Sequence, residues 1–209
     1  MSLQSLRIRN FKAVVDSKTV KLRPLTAFIG NNGAGKSSLI EALETYQAIV
    51  RDGLDVAMQR WLGIEHVRHK AQEAKERMGQ LVNPISFELA LGESPRKVRR
   101  LAMTVNNDPA ANRMLIASER MTRLDGTWTE RDPGGALQSY GPGRSMLPYA
   151  LDEDLVRAAD EVLAWQFLTL SPERMGLPVP QQRPKGSVRL ANDGSHVADF
   201  LLALRRQYA

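Results

Sequence analysis

The sequence has no cysteine and only three histidines among its 209 residues. The absence of cysteine excludes disulfide bonds and thiolate metal sites, and it fits a protein of the reducing cytoplasm. The amino terminus alternates apolar and basic residues and lacks the continuous apolar segment of a signal peptide. No stretch is long and apolar enough to span a bilayer. We therefore expect a cytoplasmic protein without a membrane partner.

The composition is that of a globular protein with an excess of positive charge. Hydrophobic residues make up 43% and charged residues 25% of the chain, and the net charge is +6. The densest basic run holds four cations, at Arg96, Lys97, Arg99 and Arg100. Clustered Lys and Arg gain affinity for nucleic acid by releasing phosphate counterions, so DNA is an open partner. A general solubility charge is the alternative.

Hydrophobic periodicity predicts an α/β segment at the amino terminus. Alternating strands are predicted over residues 6–11 and 18–22. They are followed by a continuous apolar run over residues 25–30, which is typical of a strand buried on both faces. A helix with one apolar side is predicted from Lys36 to about Val50. Residues 1–50 therefore form the first predicted segment.

The rest of the chain is predicted to alternate between helical and strand-like segments. Residues 51–84 are polar and helix-prone, with an interruption near Gly63. Residues 85–131 show strand-like alternation, which predicts an antiparallel meander with a hairpin turn at Asp125–Gly126. A loop rich in glycine and proline precedes residues 149–209, where a helix, a strand and a final helix are predicted.

A glycine-rich loop separates the predicted apolar strand from the first predicted helix. Residues 30–37 read GNNGAGKS and match G-x-x-x-x-G-K-[ST] in the strand, loop and helix context that the pattern requires. Glycine at Gly33 and Gly35 permits backbone torsions and close approaches that a Cβ atom would obstruct. Successive backbone N–H groups then point inward at the start of the helix and form a nest for an anion.

This loop is the Walker A pattern, and it predicts binding of ATP with Mg²⁺. Lys36 is the predicted catalytic residue because its ammonium group can reach the β- and γ-phosphates. The Ser37 hydroxyl is the predicted Mg²⁺ ligand, with phosphate oxygens and water in the other positions. The predicted nucleotide-binding residues of the loop are Gly30, Asn31, Asn32, Gly33, Ala34, Gly35, Lys36, Ser37 and Ser38.

The amino-terminal sequence also resembles a known family. Asn10-Phe11-Lys12, a second strand and the loop Gly30–Ser38 match the pattern at the head of SMC/RecF-like ABC ATPases. Segments such as RDGLDVAMQRWLG and NDGSHVADFLLALRR are similar to those of stand-alone prokaryotic AAA-family ATPases, relatives of the OLD nuclease heads. The resemblance implies the mixed sheet of a P-loop NTPase head of the ABC type. It places Lys12 close to the nucleotide, and a solvated lysine at the end of a strand is the alternative.

Hydrolysis in that family requires two further motifs. The resemblance implies a Walker B strand ending in Asp-Glu and a signature segment of Leu-Ser-x-Gly type donated by a second head. The nearest Walker B candidate ends at 152–154, but Pro148 interrupts its apolar run, and acids there are typical of a helix amino terminus. The nearest signature candidate, residues 137–143, contains Pro142 and is predicted to be a loop.

We therefore predict a partial head that holds nucleotide, since the final helix reaches the end of the sequence at Ala209. Hydrolysis would need a second head, a homodimer partner, in the complete protein. The resemblance implies a role in DNA repair or in defence against phage. One alternative is a self-contained P-loop kinase or nucleotide hydrolase that uses Asp152, Glu153 or Asp154. The other is a non-catalytic module that senses nucleotide and binds DNA.

Four other residues have patterns with two interpretations. His66 and His69 are three apart on a predicted charged helix, where a solvated face is favoured over a metal site. Arg51 and Arg60 follow the first helix and are candidates for contact with nucleotide or DNA.

Overall fold

The computed structural model describes residues 2–69, 83–108, 113–131, 141–177 and 190–208. The chain forms two compact units, Met1–Trp165 and Gln166–Ala209. The predicted segment 149–209 is divided between them, because its first helix belongs to the first unit.

An antiparallel sheet of seven strands is the centre of the first unit. The strands are β1 (Ser2–Phe11), β2 (Val14–Asp16), β3 (Val20–Lys21), β4 (Ile85–Ser94), β5 (Lys97–Asp108), β6 (Arg113–Thr122) and β7 (Trp128–Glu130). Their order is β2-β1-β4-β5-β6-β7, and β3 also pairs with β1. The meander predicted over residues 85–131 is confirmed as β4 to β7. The hairpin turn is confirmed too, since the Gly126 N–H donates to the Arg123 carbonyl at 3.2 Å.

The helices are α1 (Lys36–Asp52), α2 (Leu54–Gln59), α3 (Ile64–Val67), α4 (Glu153–Ala164), α5 (Pro172–Met175) and α6 (Val197–Tyr208). The first helix, the helix that starts near Glu153 and the final helix form as predicted, the described part of the second predicted segment holds two short helices, and the short α5 was not predicted. Gly63 interrupts the second predicted segment at a φ of 113°, which separates α2 from α3. Among the described residues, none of these helices has the length and apolarity to cross a membrane.

One face of the sheet packs against α1 and forms the core. Aligned residues of successive strands share this face, as in the row Ile8, Phe87 and Met103, and all three are buried. The Tyr46 ring of α1 lies 5.6 Å from the Phe87 ring, centroid to centroid. Burial of each such side chain stabilises the fold by about 1.5–3 kcal/mol. This packing fixes the position of α1 on the sheet.

The predicted strand over residues 25–30 is wrong. None of these residues belongs to a strand, and Leu25 and Ile29 are 90% and 94% exposed. A continuous apolar run is buried only where other elements cover both of its faces, and no described strand pairs with it. The α/β class and the antiparallel portion are confirmed, but the mixed sheet that the resemblance implies is not seen, since every strand pairing among the described residues is antiparallel.

The strand predicted between α4 and the final helix, at the start of the segment that follows Gln166, is not found in residues 167–171. The segment has no strand assignment, although the Thr169 and Ser171 N–H groups donate to the carbonyls of Asn192 and Asp193 at 2.7 and 2.9 Å. These two hydrogen bonds join residues 169–171 to residues 192–193 within the second unit, but they do not form the regular ladder of a β-sheet.

The acids at the start of α4 hold the helix in place. The Asp152 side chain accepts hydrogen bonds from the Asp154 and Leu155 N–H groups, which makes it the amino-terminal cap. The Asp154 carboxylate lies 2.6 Å from the Arg99 guanidinium, whose side chain is only 6% exposed. The predicted helix amino terminus is confirmed here. The basic run is split, because Arg99 is buried while Arg100 is exposed.

The ion pair between Arg99 and Asp154 gives a test by pH. The Arg99 hydrogen bond lowers the pKa of Asp154 below its usual value. A lowered pKa in the folded protein adds stability above the unfolded pKa near 4, and this stability is lost as the pH falls through the folded value. Asp154→Asn should lower the free energy of unfolding at pH 7 by about 2 kcal/mol and flatten its dependence on pH below 4.

Urea unfolding between pH 2 and pH 7 measures both effects. Asp160→Asn is the matched control, since Asp160 is an exposed acid of the same helix. If both variants lose the same stability, the ion pair does not anchor α4.

Candidate functional site

The glycine-rich loop leads directly into α1 in an exposed position. Gly33 and Gly35 have φ values of 83° and 85°, in the left-handed region that L side chains rarely adopt. The Ala34 N–H donates to the Asn31 carbonyl at 3.2 Å and closes a turn. Residues 30–34 are exposed. The loop thus has the positive φ angles that its glycines were predicted to permit.

The amino terminus of α1 has no side-chain cap. Gly35 occupies the capping position, and no side chain hydrogen-bonds to the first turn. The first N–H groups of any helix lack partners within the helix, and they carry the positive end of its dipole. The first turn of α1 contains no acid either. This helix end is therefore suited to bind an anion.

The Lys36 ammonium folds back over its own loop. It donates to the carbonyls of Gly30 and Asn31, both at 2.7 Å. An ammonium group has three N–H donors, so these two bonds leave one for a further acceptor. The two bonds also fix the position of the lysine beside the loop. Ser37, the next residue, is exposed.

Gly35 packs closely against the turn between β1 and β2. A Cβ atom at this position would lie 3.1 Å from the Val14 Cγ2 atom and 3.9 Å from the Ala13 Cβ atom. A Cβ atom at Gly33 would meet nothing within 4 Å. The two glycines thus differ, because Gly33 faces open space and Gly35 packs the loop against the sheet.

Lys12 lies in this same turn, and its side chain is engaged with α1. Its ammonium group is 2.8 Å from the Glu41 carboxylate and 3.6 Å from the centre of the Trp61 ring. Lys12 is therefore not the solvated strand-end lysine that was the alternative. The Trp61 indole N–H donates to the Thr45 hydroxyl at 3.0 Å, which ties this cluster to α1.

The other candidate residues are held in protein contacts. Arg51 pairs with Asp52 at 2.8 Å, and Arg60 pairs with Glu44. His69 lies beyond the end of α3, so it is not on a helix face, and its Nδ1 atom is 2.6 Å from the Lys12 carbonyl.

The structure bears on the possible metal site at His66 and His69 and on the predicted loop at residues 137–143. No group of three or more potential metal ligands that includes His66 or His69 occurs among the described residues. Gly141–Gly143 lie in a loop, in agreement with prediction, and the Gly143 carbonyl accepts from the Leu54 N–H at 2.8 Å. The remainder of the signature candidate, residues 137–140, lies outside the described residues.

A buried acid that the sequence did not single out is Glu119 of β6. It lies on the core face of the sheet and is only 2% exposed. It accepts hydrogen bonds from the Ser145 hydroxyl and from the Met146 N–H, and burial raises its pKa. The position in β6 is the only sequence signal, since Met121 is two residues away on the same face. Glu119 anchors the segment that leads into α4.

The comparisons with known proteins cover part of the chain. Residues 1–53, about a quarter of the sequence, match the family described as an AAA ATPase domain. This match includes β1, the glycine-rich loop and α1, and it supports an AAA-family ATPase and nucleotide binding. No curated protein and no solved structure matches the chain.

The two loop glycines give a paired test of the loop geometry. Gly33→Ala should lower the free energy of unfolding by about 1 kcal/mol, the usual cost of a left-handed conformation for alanine. Gly35→Ala should cost about 2 kcal/mol or more, because its Cβ atom also presses on Val14. Thermal or urea unfolding of the two variants measures the difference. Equal losses would show that the contact with Val14 does not constrain the loop.

Proposed function

We propose that residues 30–38 bind Mg-ATP and that the chain is the nucleotide-holding part of an SMC/RecF/OLD-like ABC ATPase head. The observation that supports this most is the start of α1. There an uncapped helix end, two glycines with positive φ and an ammonium group meet in one exposed loop. A triphosphate has the charge and the acceptor oxygens that such a site requires.

The residues of the loop suit the separate parts of the ligand. The backbone N–H groups at the start of α1 would hold phosphate oxygens, and the third N–H of Lys36 would add a charge-assisted hydrogen bond. Open space beside Gly33 lets a phosphate approach the backbone. Ser37 would hold Mg²⁺, which neutralises charge on the phosphates when bound. The protein supplies one ligand here, and phosphate oxygens and water supply the others.

Lys12 is proposed as a second contact to the nucleotide. The β1–β2 turn touches Gly35, and the Lys12 ammonium lies beside the first turns of α1. Glu41 and Trp61 are the partners of this charge in the structure. A bound phosphate would compete with the Glu41 carboxylate for the same ammonium group.

Hydrolysis would require groups outside this chain. Asp152 caps α4 and Asp154 pairs with Arg99, which disfavours a catalytic use of these acids and hence the self-contained kinase or hydrolase. In the proposed function, a second head of a homodimer supplies the signature segment, and the catalytic glutamate lies in the remainder of the head. The setting we propose is cytoplasmic DNA repair or defence against phage.

The proposed function is tested by removing the Lys36 ammonium. Lys36→Ala should weaken ATP binding at least tenfold, because it deletes a charge-assisted bond to phosphate. Equilibrium binding of a fluorescent ATP analogue with Mg²⁺ measures this change. Lys21→Ala removes the same charge from an exposed position in β3 and should leave affinity unchanged. Equal affinity of all three proteins, with the fold intact by circular dichroism, would refute the site.

The role of Lys12 is tested with a pair of variants. Lys12→Met keeps the aliphatic stem over Trp61 and removes the charge, so ATP affinity should fall by a factor of about five. Glu41→Gln removes the competing carboxylate but keeps the lysine, so affinity should stay the same or rise. A fall in affinity in both variants would indicate that the ion pair supports the fold rather than the ligand.

A further inference from the structure

The face of the sheet opposite α1 carries a cleft of about 290 Å³ between β1 and β6. Strand register places its residues in rows, because aligned residues of paired strands point to the same face. One row is Ser5, Ala90, Arg100, Thr122 and Trp128. The next row is Arg7, Glu88, Ala102, Arg120 and Glu130. Small residues, arginines, hydroxyls and the Glu88 carboxylate line the cleft, and Trp128 lies beyond it in the first row, on the edge strand β7.

Trp128 is an exposed aromatic ring that is already held in position. Its side chain is 56% exposed at the edge of the sheet. The Arg120 guanidinium lies 4.6 Å from the ring centre on one side, and Glu130 fixes this arginine at 2.7 Å. A ring that is ordered before binding can accept a flat ligand at a small entropic cost.

Arg100 is a positive charge of this face that has no acidic partner among the described residues. Around the cleft, Arg7 pairs with Asp16 at 2.7 Å, Arg9 with Glu88 at 3.2 Å and Arg120 with Glu130 at 2.7 Å. Arg100 is exposed and forms no ion pair within the described part of the chain. Its guanidinium can therefore bind an oxyanion by two parallel hydrogen bonds. The Thr122 hydroxyl, beside it in the same row, can donate a third.

We propose that this outer face binds single-stranded nucleic acid, with a base stacked on Trp128 and a phosphate held by Arg100. The two residues lie on strands separated only by β6, a distance of about 10 Å between strands. This is within reach of a base and a phosphate of the same or the adjoining nucleotide. Stacking needs an unpaired base, so a single strand fits and a duplex does not.

The position of the cleft on an open sheet face favours a polymer over a free nucleotide. The row that holds Arg100 and Trp128 extends beyond the residues that line the cleft, so a single small nucleotide would leave part of it uncontacted. A strand crosses several rows and adds the contacts of successive units. The site is separate from residues 30–38 and does not depend on ATP, so it goes beyond the proposed function.

Fluorescence anisotropy with labelled oligonucleotides at low salt tests the proposal on the full chain. The probes are a single strand of twelve thymidines and a duplex of the same length. Trp128→Ala should weaken single-strand binding by about fivefold or more, and Trp128→Phe should restore most of it, since phenylalanine also stacks. Arg100→Gln should lower the slope of log affinity against log salt by about 0.7, the share of one phosphate.

Control variants separate this site from general charge and from the loop. Tyr149→Ala and Arg157→Gln change an exposed aromatic and an exposed arginine elsewhere, and both should bind like the wild type. Lys36→Ala should also bind the single strand normally. The proposal is overturned if the duplex binds as tightly as the single strand or if Trp128→Ala binds like Tyr149→Ala. The proposal would also be overturned if free thymidine monophosphate displaced the labelled strand at a concentration equal to that of the strand.

Discussion

The packing of α1 against the buried face of the sheet positions both the glycine-rich loop and α4. Tyr46 contacts Phe87 at the centre of this interface, and both are buried. The Gln47 amide continues the interface by donating to the carbonyls of Val162 and Trp165, at 2.8 and 2.9 Å. These contacts join the helix to the sheet and to the end of α4. They also fix where the glycine-rich loop ends.

The two ends of the glycine-rich loop differ in how many contacts they make with the rest of the protein. Its exit is the first turn of a well-packed helix, and Gly35 touches the β1–β2 turn. Its entrance, residues 25–30, has no strand partner among the described residues and leaves Leu25 and Ile29 exposed. An apolar run of this kind gains stability only when other elements cover it. This asymmetry accords with the proposal of a partial head, in which the phosphate contacts are present and the elements that surround them are supplied elsewhere.

Charged residues in this protein serve structure more often than their density suggests. The basic run in β5 divides because consecutive strand residues point to opposite faces. Arg99 therefore pairs with Asp154 in a buried position, while Arg100 faces solvent. The Lys12 ammonium likewise lies between a carboxylate and an aromatic ring. Composition gives the number of cations, whereas register and packing decide which of them remain free to bind a ligand.

Elements with a local signal could be predicted from the order of the residues alone. Helix periodicity and the glycine spacing predicted α1 and the loop before it, and alternation predicted the meander that became β4 to β7. Features that depend on distant partners became visible only in the folded chain. The apolar run at 25–30 forms no strand because strand pairing needs a neighbour, and Glu119 is buried because residues 145 and 146 satisfy it from another segment. Local torsions are encoded in a few adjacent residues, but burial is a property of what the chain brings together.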